Sequence, residues 1–275
     1  METPVAPWEP ITFGGAAAFS RASLGRLLLV QFIVALLVAA SVLCFLISAW
    51  FPVIHEAIAR LPEKGAIRRG QLDWAGPSPA WLAEGTFLSI IVDPAGGGRT
   101  GQSADVQVEF ERDSFKVCSL FGCLEIPYPR YWAVALNRTE AEPWWGAWRP
   151  FLLVGIAVGV VLGLMAIWLA LAAFLSLPLR LIAFYSDRAA TWPACWRMAG
   201  AVQLPGALLM SGAIFLYGFN RLNLVGFLFA WVLHLVSAWL YVGIIPARLP
   251  RLAGARPKRA NPFGTGQRSQ KRFGD

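Results

Sequence analysis

Charged residues are scarce in this 275-residue sequence, and four long stretches contain none. Asp, Glu, Lys and Arg make up 15% of the residues and hydrophobic residues 57%, whereas roughly a quarter of a soluble globular protein is charged. This composition excludes an ordinary soluble protein and points to the membrane-protein class.

The motifs of common enzyme classes are also missing. The chain has no His-Glu-x-x-His, no Gly-x-Ser-x-Gly and no phosphate-binding loop ending in Gly-Lys-Ser or Gly-Lys-Thr. Those patterns hold a catalytic zinc, a nucleophilic serine and nucleotide phosphates, respectively. The sequence therefore predicts no metal and no cofactor, and it does not favour an enzyme.

The four uncharged stretches are each long enough to cross a bilayer as a helix. A hydrocarbon core about 30 Å thick takes ~20 helical residues, and barrel strands would alternate polar and apolar residues instead. Arg21 and Arg26 precede the first stretch as in a signal peptide, but the bulky residues at its end favour a retained helix over a cleaved one. We predict transmembrane helices at 27–50, 151–177, 198–219 and 222–245.

The distribution of Lys and Arg predicts the orientation of the chain. Segment 1–26 holds two of them, the expected loop 178–197 three and segment 246–275 eight, whereas Arg221 is alone in the short loop on the opposite side. Because short cytoplasmic segments carry the excess of Lys and Arg, we expect both termini in the cytoplasm. The net charge of +8 reflects this segregation and does not indicate nucleic-acid binding. We expect 246–275 to be a disordered basic tail whose first role is to set this orientation, with contact to anionic lipids as a secondary role.

Residues 51–150 have a different composition, with twelve acidic and ten basic residues. They are predicted to form a water-facing, mainly β domain, arranged as a meander and preceded by a short helix at 53–61. The predicted strands are 67–74, 87–92, 105–111, 115–120 and 131–136. The predicted fold is thus membrane α-helical, with four transmembrane helices and an extracytoplasmic domain inserted between helices 1 and 2.

One strand of this domain alternates strictly between apolar and polar residues. Val106, Val108 and Phe110 are its apolar members and are expected to face a core. The polar residues between and after them are expected to face water: Gln107, Glu109 and Glu111.

Cys118 and Cys123 are the candidate disulfide. They bracket four residues, so a tight hairpin would place them opposite each other within disulfide range. A disulfide is favoured in an oxidising compartment, with free buried thiols as the alternative. Two thiols without companion ligands do not make a zinc site.

Gly155, Gly159 and Gly163 repeat every four residues in the second predicted helix. Such a stripe lets another helix approach closely and gain dispersion contacts. We favour packing within this bundle and keep homodimerisation as the alternative.

His234 lies in the middle of the fourth apolar stretch. Ionisable residues at membrane depth are often proton relays or ligand contacts. The favoured interpretation is a neutral imidazole hydrogen-bonded to Gln203, Ser211 or Ser237, because the stretches contain no carboxylate partner. Together with Gln203, His234 forms the candidate intramembrane polar site.

Two short segments of the outer domain carry a family resemblance: Gly70-Gln71-Leu72-Asp73-Trp74 and Phe87-Leu88-Ser89-Ile90-Ile91-Val92-Asp93. In this order, between one anchor helix and three further helices, they resemble a group of uncharacterised bacterial inner-membrane proteins. The helical part is loosely similar to the Yip-type membrane domain. The resemblance implies a bacterial inner membrane and supplies no activity, catalytic residue or cofactor.

Three functional hypotheses follow. The first is a non-enzymatic interaction or assembly protein whose outer domain binds a partner or an envelope component, in agreement with the uncharged helices. The second is a transporter or channel component with a polar site around His234 and Gln203, next to the helix-breaking Pro205. The third is a membrane-embedded enzyme, for which titratable clusters are lacking. The expected partners are the lipid bilayer and either a second copy or another membrane protein.

Overall fold

The computed structural model describes residues 9–96 and 101–252. Four of its helices are long and apolar enough to cross a membrane, and a small β domain follows the first of them. These spans are Leu24–Ala59, Arg138–Tyr185, Trp192–Gly218 and Leu224–Arg248. We call the end of the bundle beside the β domain the outer end and the opposite end the inner end.

The first span is one continuous helix with a wider turn inside it. After α1 (Phe13–Ala18) and a 3₁₀ turn, α2 (Leu24–Phe45) starts at Ser23, whose hydroxyl accepts from the Arg26 amide at 3.3 Å. A π-helical turn at Leu46–Trp50 joins α2 directly to α3 (Phe51–Ala59). We predicted an end at residue 50. Pro52 lies inside this continuous helix, directly after the π-helical turn, and a wider turn of this kind accommodates a residue that lacks an amide hydrogen.

The second span, α4 (Arg138–Tyr185), has 48 residues and is therefore about 70 Å long. It exceeds the predicted 151–177 at both ends. Asn137 caps it by accepting from the Glu140 amide, and three prolines lie inside it. Each proline removes one main-chain hydrogen bond but does not end a helix that its neighbours sustain.

The third span is interrupted, which the prediction of one helix at 198–219 missed. It consists of α5 (Trp192–Ala201) and α6 (Leu204–Gly218), with a break at Val202 and Gln203. Pro205 in the first turn of α6 explains the break, since proline has no amide hydrogen to donate to a carbonyl of the preceding turn. The fourth span is α7 (Leu224–Ile244), capped by Asn223 and followed by a 3₁₀ turn at Ile245–Arg248.

The outer domain contains two sheets. One has the order β2-β1-β8 and the other β3-β4-β5-β6-β7. The strands are β1 (Gly65–Arg68), β2 (Gln71–Trp74), β3 (Ala80–Glu84), β4 (Leu88–Val92), β5 (Val106–Phe110), β6 (Ser114–Ser119), β7 (Gly122–Pro127) and β8 (Ala133–Ala135).

This topology corrects the predicted meander. β4 and β5 are parallel, so the chain crosses back between them instead of turning directly. The predicted strand 67–74 is a hairpin, because Arg69 and Gly70 adopt positive φ between β1 and β2. β3 was not predicted, and β7 was implied only by the hairpin expected to place Cys123 opposite Cys118.

The expected water-facing side of β5 is buried. Gln107 is 1% exposed and Glu109 6%, whereas Val106, Val108 and Phe110 are half-buried against the domain core. The alternation was correct, but β5 is a central strand with both faces covered. Gln107 is accommodated because its Oε1 accepts from the Ser89 hydroxyl and from the Ser103 amide.

At the inner end, part of the expected tail is ordered. The Leu252 amide donates to the Asp187 carbonyl, and the Ala189 amide to the Pro250 carbonyl, both at 2.9 Å. The Arg188 guanidinium also donates to the Leu249 carbonyl. Residues 246–252 thus pack back on the bundle, while the remainder of the predicted tail, 253–275, lies outside the described residues.

Candidate functional site

A cavity of about 550 Å³ lies at mid-length of the bundle, between α2, α4, α6 and α7. Its wall is almost entirely aliphatic and aromatic, and among the described residues no Asp, Glu, Lys or Arg lines it. The two clearly polar side chains in the wall are Gln203 and His234. The structure therefore brings both residues of the predicted intramembrane site to one cavity.

Gln203 lies in the break between α5 and α6. Its amide nitrogen donates to the Trp168 carbonyl at 3.1 Å and to the Ala199 carbonyl at 3.0 Å. These two bonds fix the side chain, which is only 4% exposed. Its Oε1 is buried and has no hydrogen-bond partner among the described residues. A buried acceptor without a partner costs about 1–3 kcal/mol, and a ligand that donates a hydrogen bond would remove this cost.

His234 is held close to α6 by Gly206. A Cβ atom placed on Gly206 would lie 2.8 Å from His234 Nδ1 and 3.0 Å from its carbonyl oxygen. Nδ1 is buried and, within the described chain, unpartnered. The side-chain partners that we expected are engaged elsewhere, because Ser237 donates to the His234 carbonyl at 2.7 Å and Ser211 pairs with Ser41 at 2.7 Å.

The cavity opens sideways between α4 and α7. Several of its lining side chains are exposed on the outside of the bundle. They are Ile167, Leu171 and Phe174 on α4 and Leu235 and Trp239 on α7. Phe174 and Trp239 meet edge to face across this opening, with ring centroids 6.4 Å apart. In a bilayer the opening would face lipid, so a molecule dissolved in lipid could enter without crossing water.

Gln31 is a polar residue that our sequence reasoning did not single out. It is 1% exposed, and its amide nitrogen donates to the Gly200 carbonyl at 3.2 Å, which ties α2 to α5. A lone glutamine in an uncharged stretch is a signal that could have identified it. Gln31 does not line the cavity, so we assign it to helix packing.

The glycine stripe packs against no other element of the described part of the chain. Apart from the neighbouring residues and backbone of α4 itself, no described atom lies within 4 Å of a Cβ placed on Gly155, Gly159 or Gly163. The packed face of α4 carries Val161 and Trp168 instead, and Val161 lies about 200° around the helix from Gly159. Close helix approach occurs at other glycines, including Gly206.

Cys118 and Cys123 form a disulfide in the structure. They are directly paired across β6 and β7, with Cα atoms 4.0 Å apart. The bond closes the hairpin whose turn exposes Leu120 and Phe121. It lies in the outer domain and takes no part in the cavity.

No protein-family model, curated protein or solved structure matches this chain. The function is therefore argued from the geometry of the cavity.

Proposed function

We propose that this protein is a non-enzymatic, membrane-embedded binding protein that takes an amphiphilic molecule from the bilayer into the cavity between its helices. The observation that carries the proposal is the pair of unpartnered buried atoms, Gln203 Oε1 and His234 Nδ1, on the two polar side chains of an otherwise apolar cavity. The proposal combines two of the sequence-based hypotheses: it keeps the non-enzymatic role of the first and the polar site around His234 and Gln203 of the second.

The chemistry of the wall defines the ligand class. An aliphatic and aromatic wall binds an apolar body, and the volume lies within the range of small-molecule sites. Gln203 Oε1 can only accept, so the ligand carries a hydroxyl or amide donor. A ring nitrogen of the His234 imidazole provides a second polar contact for the ligand. The uncharged wall disfavours an ionised group.

The supported setting is a bacterial inner membrane, with both termini in the cytoplasm and the β domain outside. The excess of Lys and Arg in segments 1–26, 178–197 and 246–275 supports this orientation. The test is to label single cysteines in intact cells with an impermeant maleimide, in a background lacking the native cysteines. A cysteine at Tyr131 should react and one at Arg21 should not, and the reverse pattern would refute this orientation.

The binding site is tested with a photoreactive long-chain alcohol. The full-length protein is placed in vesicles of phosphatidylethanolamine and phosphatidylglycerol, illuminated and mapped by peptide mass spectrometry. We expect label on the cavity-lining parts of α4 and α7, reduced about tenfold by Gln203→Leu, since a lost hydrogen bond to a buried acceptor is worth roughly 1–1.5 kcal/mol.

The lipid-exposed Val154 and Val158 on the outer half of α4 provide the internal control, because their labelling needs no cavity. A second variant, Ala207→Trp, would fill the cavity one helical turn from Gln203. If neither variant changes the ratio of cavity label to control label, the proposal is wrong.

A further inference from the structure

A second, smaller cavity lies at the junction of the bundle with the outer domain. It has a volume of about 270 Å³ and is lined by residues of α2, α6 and α7 and by Phe87 and Val106 of the β domain. We call it the junction chamber. Trp50, in the π-helical turn, also lines it, and its indole Nε1 is buried with no partner among the described residues.

The junction chamber and the cavity share a wall. Ile214 on α6 lines both, and one helical turn of α2 separates Val38 in the cavity from Val42 in the chamber. Beyond the chamber, a wide cleft at the outer surface is lined by Asn220 and Arg221. Three residues line both the chamber and this cleft: Phe87, Asp105 and Tyr217.

Aromatic side chains close the chamber towards the outer surface. Tyr217 stacks on Phe45 at 5.7 Å and on Phe227 at 4.7 Å, and it meets Phe87 edge to face at 4.7 Å. The Tyr217 hydroxyl donates to the Asp105 carboxylate, which joins α6 to the β domain. Tyr217 thus links the bundle to the outer domain at the boundary between chamber and cleft.

We infer that the junction chamber is a second binding compartment, through which the ligand of the cavity passes towards the outer face. Ile214 separates the two compartments, and the Tyr217–Asp105 bond closes the outer one. The apolar wall of the chamber suits the same apolar body, and Trp50 Nε1 supplies a donor for an acceptor oxygen of the ligand. This inference rests on the proposed function and adds a direction of transfer.

The experiment uses the same photoreactive long-chain alcohol and the full-length protein in vesicles. Val106 lines the junction chamber but neither the cleft nor the cavity, so label on Val106 reports entry into the junction chamber. Label on the buried Trp168 and Leu175 reports the cavity. We expect both labels in the wild type. Ile214→Trp should lower the Val106 label relative to the cavity label about tenfold.

The matched control is Leu216→Trp, on the same helix at a position exposed on the outside of the bundle. It should leave the ratio of the two labels unchanged. The inference would be overturned if the wild type showed no chamber label, or if the chamber label were equal in the Ile214→Trp and Leu216→Trp variants. Either result would leave cavity binding intact. Loss of cavity label from the wild type would overturn the proposed function, and this inference with it.

A second variant keeps the test decisive if Ile214→Trp does not fold. Tyr217→Phe removes only the hydroxyl that bonds to Asp105, so label should spread to the peptide carrying Asn220 and Arg221. Its control is Tyr241→Phe, which loses a bond to the Ile11 carbonyl at the inner end. Equal spread in these two variants would also contradict the inference.

Discussion

Replacing Gly206 with alanine tests the close contact between α6 and α7 beside the cavity. The new Cβ would lie 2.7 Å from Ser237 Oγ, 2.8 Å from His234 Nδ1 and 3.0 Å from the His234 carbonyl oxygen. The hydroxyl can rotate, but the carbonyl oxygen moves only if α7 moves. Overpacking of this kind costs about 1–3 kcal/mol.

Gly212→Ala is the matched control, because it lies on the same helix and a Cβ there meets nothing within 4 Å. Both substitutions exchange a helical glycine for alanine, so the helix-propensity gain of up to about 1 kcal/mol largely cancels in their difference. We therefore expect Gly206→Ala to be less stable than Gly212→Ala by about 1–3 kcal/mol. For a chain of this size that corresponds to melting temperatures about 2–12 °C apart.

The assay follows thermal unfolding in detergent with a thiol-reactive fluorescent probe. Cys195 is fully buried and reacts only when the bundle opens, and Cys44→Ser in every variant removes the more accessible free thiol. Gly206→Ala should also lower the photolabelling of the cavity. Equal melting temperatures for the two variants would refute the close contact of α6 with α7.

Three further predictions concern the outer domain and the glycine stripe. The hydrogen bond and ion pair with Glu111 raise the pKa of Lys116, and burial raises the pKa of Tyr128. Both groups bind their protons more tightly in the folded state than in the unfolded state. The melting temperature should therefore fall as the pH rises above about 10. In the Tyr128→Phe variant this fall should be smaller. Replacing both Cys118 and Cys123 with serine should lower the free energy of unfolding in a urea titration by about 2 kcal/mol, the loop entropy of a short ring; no change would contradict a disulfide-closed hairpin. Gly159→Leu should not lower that free energy, because the helix-propensity gain of up to about 1 kcal/mol is opposed by no packing cost, and a loss would show that the glycine stripe packs against another helix.

The fold was predictable where a signal was local. Uncharged stretches indicate the four long helices because no other structure satisfies their main chain in lipid. The break at Gln203 had a local signal in the helix-breaking Pro205, although a single helix was predicted at 198–219. The parallel pairing of β4 with β5 has no local signal, since strand pairing is set by the tertiary fold. The burial of Gln107 follows from that pairing, so its alternation pattern alone pointed to the wrong environment.

From the sequence, only the two residues of the candidate site could be predicted, and not their arrangement. A histidine and a glutamine in apolar stretches are visible in the sequence, and they suggest a polar site. That they line one cavity depends on helices far apart in the chain. The hydrogen bonding of the two side chains depends on their neighbours: Trp168 positions Gln203, and Gly206 positions His234. None of these distances is encoded in spacing along the sequence.

Native mass spectrometry of the full-length protein released from detergent micelles tests the central claim most directly. We expect the wild type to retain an amphiphile from the membrane, which appears as a discrete added mass. We also expect Ala207→Trp, which fills the cavity beside Gln203, to lose this mass while remaining folded. A wild type without any added mass, or an equal added mass in the filled variant, would contradict ligand binding in the cavity between the helices.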